Sequence, residues 1–176
     1  LALMRLSKSK ILNIISEVYT EIVRGIPLLL QLWVIYLLFS STLGKVVAVC
    51  LALLLNSAAY VAEIIRSGIQ AVDKGQVEAS RSLGINANKT MVKIVLPQAI
   101  KNILPALGNE FVTVIKETSL SSVFYIGDLM TAKTIITTQT YLAIEPYIII
   151  GIIYFTLTYS LSKIIGKFEK RLKLSD

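Results

Sequence analysis

The sequence has 176 residues, of which 55% are hydrophobic and only 16% charged, with a formal net charge of +7 and a mean hydropathy of +0.70. A soluble domain carries roughly a quarter charged residues, so the shortfall points to lipid as solvent. The lack of histidine and the lone Cys50 exclude disulfides, zinc-finger spacing, c-type haem attachment and a histidine-based triad within the chain, and no G-x-x-x-x-G-K-[ST] run is present to cradle a nucleotide phosphate.

In chain order, Leu1-Ala2-Leu3-Met4, followed at once by Arg5, Lys8 and Lys10, reads as the tail of an earlier span, with no signal peptide. Ile11, Ile15, Val18 and Ile22, backed by Leu12, Tyr19 and Val23, recur at helical spacing, with Glu17, Glu21 and Arg24 elsewhere. Ile11 to Arg24 is therefore an amphipathic lead-in helix lying against the membrane or the bundle. Arg24-Gly25-Ile26-Pro27 redirects the chain into a first complete span, Leu28 to Ser40, extending an apolar run that begins near Ile22. Pro27 falls near its start, where a missing N–H costs least. After a short loop, Val46 to Ile65 is a second span of about 20 residues, enough to cross a bilayer. Its stripe of Ala48, Ala52, Asn56, Ala59 and Glu63 faces other helices, because lipid offers polar groups no partner and small residues permit close packing.

Asp73 to Pro97 is a charged two-helix segment between spans. Asp73 suits the cap of a short helix, with Gln76 completing a capping box. Gly84 suits the left-handed turn that ends it. Asn86 or Asn88 caps a second helix running up to Pro97. Ile94 to Ile115 is a third, weaker span, broken by Pro105, with Asn102, Ala106, Asn109, Thr113 and Glu117 on one face and Glu110 adjacent. Thr118 to Ala143 is too polar to span and reads as a partly helical outer segment. Ile144 to Ile165 is a fourth span, with a stripe of Tyr147, Gly151, Tyr154 and Thr158, before the basic tail Lys167 to Lys173. With spans alternating, only Lys45, Lys116 and Lys133 of the 18 Lys and Arg fall on one side. Basic residues accumulate on the cytoplasmic side, so the hairpin and the C-terminus are expected there. The basic charge is a topology signal, not a nucleic-acid footprint. Residues 1–176 form one membrane domain.

The hairpin resembles the cytoplasmic loop of ABC-importer permeases, with signature Glu-Ala-Ala, three residues, Gly, nine residues, Ile-x-Leu-Pro. Glu78, Ala79, Ser80, Gly84, Ile94, Leu96 and Pro97 stand at the family spacing, with Ser80 in place of the second Ala. Three further stretches are similar to the polar-amino-acid subgroup (histidine, glutamine and arginine permeases): Glu21 to Leu28, with Ile26 where Thr is common, Leu55 to Arg66, and Lys116 to Leu120. The resemblance runs from about Leu12 to Arg171. It implies an all-α, polytopic transmembrane bundle of the type I importer permease fold, with about five spans, the first truncated or missing here. It also implies a bacterial inner-membrane protein that is not itself an enzyme. The chain would carry no cofactor, ATP and magnesium being bound by partner ATPase subunits. A second permease subunit and an extracytoplasmic binding protein would complete the assembly. Glu78, Ala79, Ser80, Arg81 and Gly84 are implied as the ATPase-coupling residues.

Glu110 is the sharpest candidate for substrate binding. It lies about 20 Å along its helix from Pro97, well within the bilayer, where a carboxylate is costly unless paired or facing water. It would bind a substrate ammonium or guanidinium, or else pair with a lysine of a neighbouring helix. Asn56 and Ser57 would meet the substrate's α-carboxylate or amine, interhelical bonding being the alternative for Asn56, and Thr113 adds a contact. Glu63 and Arg66 suit an ion pair within their helix. Tyr147 and Tyr154 read as packing and interface anchors, Trp33 and Cys50 as buried or lipid-facing bulk. Rival functions are permeases for methionine or another organic ion, an ATP-independent carrier, and a scaffold without transport.

Overall fold

The computed structural model describes residues 1–7 and 9–173; Lys8 and the side chain of Lys173, two of the basic residues sorted above, lie outside the described residues. The helices are α1 (Ala2–Arg5), α2 (Lys10–Gly25), α3 (Leu28–Leu43), α4 (Lys45–Gln70), α5 (Lys74–Ser82), α6 (Ala87–Thr90), α7 (Leu96–Glu117), α8 (Leu129–Thr140) and α9 (Glu145–Lys173). A π-helical turn, Met91–Val95, joins α6 to α7, and a 3-10 segment, Thr118–Phe124, follows α7. Between α6 and α7 the helical path is unbroken at Pro97. The wide π turn lies just ahead of the proline, where a ring would otherwise press on the carbonyl four residues back.

Helix α4 is the hub, packing on α2, α3 and α7, while α9 rests on α7 and α8. Its small stripe is the reason. Ala48, Ala52, Asn56 and Ala59 are all buried, as their periodicity predicts, and Ala62 and Gly68 prolong the buried line. A Cβ on Gly68 would lie 2.3 Å from Ile103 Cγ1, so α4 and α7 meet at van der Waals distance there. A second cluster of Leu32, Val49, Ala52 and Phe124 closes the far end of α3 and α4. The Phe124 ring sits 4.8 Å from Trp33 and 4.5 Å from Tyr36 between ring centroids.

Helices α2 and α3 meet at 107°. The apolar face of α2 turns away from the bundle: Ile11, Ile15, Val18 and Ile22 are exposed, while Ser16 and Thr20 are the buried residues. Small side chains thus make the helix contact and the large apolar ones are left for lipid. At 16 residues, α3 measures about 24 Å, shorter than the ~30 Å hydrocarbon core. Among the described residues, α4 and α9 are long and apolar enough to cross a bilayer, and a third span results only if α2 and α3 count as one broken crossing. Of the four spans read from the sequence, the third differs because α7 carries Lys101, Glu110, Lys116 and Glu117.

Helix α9 runs antiparallel to α7. Gly108 abuts Ile165, and Leu104 and Pro105 share a pocket with Phe168 and Leu172. Its basic end therefore lies at the same end of the bundle as the hairpin. The stripe expected on α9 is corrected: Tyr154 and Thr158 are half-buried, but Gly151 and Tyr147 are exposed, and Ile150, Leu161 and Ile165 complete the inward line instead. An almost wholly apolar helix has little polarity contrast to orient it, so the notch at Gly108 sets its rotation.

Because no space exists beside Gly68, Gly68→Val overpacks the α4–α7 contact and is expected to cost about 1–3 kcal/mol. The melting temperature of the detergent-purified protein should fall by about 2–4 °C per kcal/mol. Gly25→Ala, at a position with nothing within 4 Å, should leave it within a degree or so of the parent.

Candidate functional site

The hairpin is built to be stiff. Asp73 Oδ1 accepts from the Gly75 N–H at 2.6 Å and starts α5. The return bond from Gln76 that would complete a capping box is absent among the described residues. Gly84, at φ +77°, ends α5 in a Schellman turn: the Ile85 N–H reaches Ser80 O at 3.2 Å and the Gly84 N–H reaches Arg81 O at 3.0 Å. Asn86, not Asn88, caps α6, its Oδ1 accepting from the Lys89 N–H at 2.9 Å. Below it, Val72, Val95, Ala99 and Ile103 form a cluster joined by Val77, Ile65 and Ile69. That cluster welds α5 to the ends of α4 and α7.

Ser80, unlike the other implied coupling residues, is turned into the hairpin. It is 3% exposed, and its Oγ bonds Thr90 Oγ1 at 2.8 Å, tying α5 to α6. The serine that replaces the family's alanine is thus answered by a hydroxyl on the facing helix. Glu78, Ala79, Arg81 and Gly84 are exposed as expected, although Arg81 spends one N–H on Ile85 O at 3.0 Å. Sequence reasoning missed Leu83, which is 81% exposed at the hairpin tip. An apolar residue just ahead of a Schellman glycine, on an otherwise polar segment, was the available signal. A groove of 710 Å³ opens beside the hairpin, lined among others by Gln70, Lys74, Val77, Arg81 and Met91.

Within the bundle the four candidates divide. Ser57 Oγ donates to Glu110 Oε1 at 3.3 Å, bringing α4 and α7 together. Among the described residues Glu110 makes no ion pair, so the lysine partner considered from the sequence is not found. Asn56 points elsewhere: its Nδ2 donates to Gln31 Oε1 at 3.2 Å on α3, the interhelical role. Thr113 returns its hydroxyl to Asn109 O of its own helix at 3.1 Å. Glu63 and Arg66 pair within α4, Arg66 Nε donating to Glu63 Oε2 at 2.9 Å.

The polar stripe of α7 faces away from the chain's own helices. Asn102 and Asn109 are exposed, and Ala106, Thr113 and Glu117 are partly so, whereas Ala99, Ile103 and Val112 are buried on the opposite side. Lipid cannot satisfy amides and carboxylates, so this face requires water or another polar protein surface. The arrangement offers an acidic group with spare acceptor capacity beside a helix face suited to an aqueous path.

Comparison with known proteins agrees with this geometry. Residues 1–174 match the family described as binding-protein-dependent transport system inner membrane component. The chain is 45% identical over 166 residues to the arginine transport system permease protein ArtQ of Bacillus subtilis (strain 168), covering 92% of this chain and 76% of that protein. It is 42% identical to a putative glutamine transport system permease protein GlnP of Rickettsia bellii, covering 99% of this chain and 82% of that one. A solved amino acid ABC transporter with histidines superposes with a TM-score of 0.92 at 49% identity, over 97% of this chain and 81% of that chain. The MetNI methionine ABC transporter, at 16% identity and a TM-score of 0.76 over 93% of this chain and 77% of that chain, shares the fold. An all-α bundle with the ABC-importer permease fold, carrying the hairpin at its signature spacing, belongs to the family of binding-protein-dependent transport system inner membrane components.

Proposed function

We propose that this chain is the permease subunit through which a polar amino acid, with cationic ones favoured, enters the cell. The observation that carries the substrate class is Glu110. It is an intramembrane carboxylate held by the Ser57 hydroxyl at 3.3 Å and, among the described residues, not neutralised by a cation of its own chain. A guanidinium or ammonium supplies that missing charge, and a charge-assisted bond in a water-poor path is strong enough to select for it. Similarity to ArtQ, an arginine permease by its name, supports the same class. The path lies against the outward polar face of α7, which a second permease subunit, identical or paralogous, completes. An extracytoplasmic binding protein delivers the substrate.

Energy comes from ATP and magnesium held by partner ATPase subunits, one hairpin docking on each. Glu78, Ala79, Arg81 and Leu83 form the docking face, and the 710 Å³ groove beside it receives a side chain of the partner. Ser80 and Gly84 act within the hairpin, keeping it rigid. To swing an equilibrium from 1:99 to 99:1 takes about 5.5 kcal/mol of differential binding, which a loose loop does not transmit. The hairpin and the basic C-terminus face the cytoplasm, in keeping with the placement of Lys and Arg.

Two measurements test this reading. In proteoliposomes of the assembled transporter, Glu110→Gln should reduce arginine uptake relative to glutamine uptake about tenfold, equivalent to 1.4 kcal/mol. Equal inhibition of the parent by glutamate and arginine in competition would remove the charge argument. Separately, Arg81→Ala combined with Leu83→Ser should lower the amount of ATPase that co-purifies in detergent while leaving the melting temperature unchanged. Undiminished co-purification would place the docking surface elsewhere.

A further inference from the structure

Among the backbone carbonyls that the bend between α2 and α3 leaves without helical donors are Val23 O and Ile26 O. Pro27 has no N–H, so Val23 O, four residues back, loses its partner. The N–H groups of Leu30 and Gln31 both turn to Pro27 O, at 3.0 and 3.2 Å, which leaves Ile26 O outside the ladder of α3. One atom answers both. Gln31 Nε2 lies 2.6 Å from Val23 O and 2.8 Å from Ile26 O. The other end of that amide, Oε1, accepts from Nδ2 of Asn56 on α4 at 3.2 Å. Asn56 is 3% exposed. The outer side of the bend is a 280 Å³ groove lined by Ile22, Ile26, Leu30 and Val34 among others, apolar side chains that offer a carbonyl nothing.

We propose that Gln31 is the positioning residue of this permease: it fixes the 107° elbow and ties α2 to α4, so that the two move as one body while substrate passes elsewhere. Other contacts hold α2 to α4, namely Tyr19 Oη donating to Leu55 O at 2.7 Å and Arg24 lying 5.4 Å from the Tyr60 ring centroid. Neither touches α3. Gln31 alone of these side chains spans the break, bonding α2 and α4 at once from its place on α3. Its partner Asn56 precedes Ser57, the residue that holds Glu110. Successive residues of one helix therefore grip the elbow on one side and the carboxylate on the other. A displacement of α4 reaches both.

The transport half of the test rests on the proposed amino acid uptake, and the structural half does not. In the assembled transporter in lipid nanodiscs, with exposed Cys50 replaced by Ser, spin labels at Ile14 on α2 and Leu37 on α3 occupy exposed positions. Electron–electron resonance on the parent should give a single narrow distance distribution. Gln31→Met, equal in length but unable to donate or accept, should broaden it. In proteoliposomes the same variant should lower the maximal uptake rate about tenfold, with KM and the order of competing amino acids unchanged. Gln31→Lys, which still donates to both carbonyls but offers Asn56 Nδ2 no acceptor, should keep the narrow α2–α3 distribution while losing the tie to α4, and it tests the elbow alone if Gln31→Met fails to assemble. An unbroadened Gln31→Met, a Gln31→Lys as broad as Gln31→Met, or a changed competition order would each overturn the proposal. A parent that takes up no amino acid would defeat the functional reading instead, leaving the distances to decide the elbow.

Discussion

A polar group withdrawn from water into this bundle gains from a partner inside the chain, since hydrocarbon supplies none. Pairing of polar groups within the chain recurs at three places. The carbonyls stranded by Pro27 are met by Gln31, the Glu110 carboxylate by Ser57, and the Ser80 hydroxyl by Thr90. Each partner lies on a different element from the group it answers, or across a break in the chain. Each bond therefore fixes a tertiary relation as well as removing a local penalty.

These partnerships depend on α4. Its alanines let α2, α3 and α7 approach closely, and close approach is what brings short side chains such as Ser57 within reach of Glu110. Large residues along that stripe would have separated the helices beyond the reach of a serine. At its far end α4 passes through Val72 into the cluster that also holds Val77, Val95 and Ile103. The elbow, the Glu110 carboxylate and the hairpin are thus attached to one helix. The three are thereby connected through packed side chains.

What the sequence disclosed follows from this physics. The α4 stripe was legible because alternation of small and large residues at helical period leaves a trace wherever packing is tight. Gly84 and Asp73 were legible because turn and cap chemistry is local. The burial of Ser80 was not legible because its partner, a hydroxyl ten residues away on Thr90, comes alongside only once the hairpin closes. Gln31 drew no notice for a similar reason: its donors acquire a task only when Pro27 bends the chain and α4 arrives alongside. The rotation of α9 was not legible because an apolar helix in lipid can turn without cost until a notch such as Gly108 engages Ile165. Local signals were written in the residues that carry them, and tertiary ones were not.

The surfaces left uncovered differ in kind, and the difference bears on where a solute passes. Most of α9 is exposed through Ile148, Ile149, Ile152 and Phe155, a face that suits lipid or another apolar helix equally well. The face of α7 bearing Asn102 and Asn109 has no such freedom, because amides facing hydrocarbon would lose hydrogen bonds worth several kcal/mol. It must abut water or a polar partner. Glu110 stands at the margin of that same face, held from behind by Ser57. On the reading proposed above, a path bounded by α7 would give the amides their water and the carboxylate a cation together, whereas a path along α9 would satisfy neither.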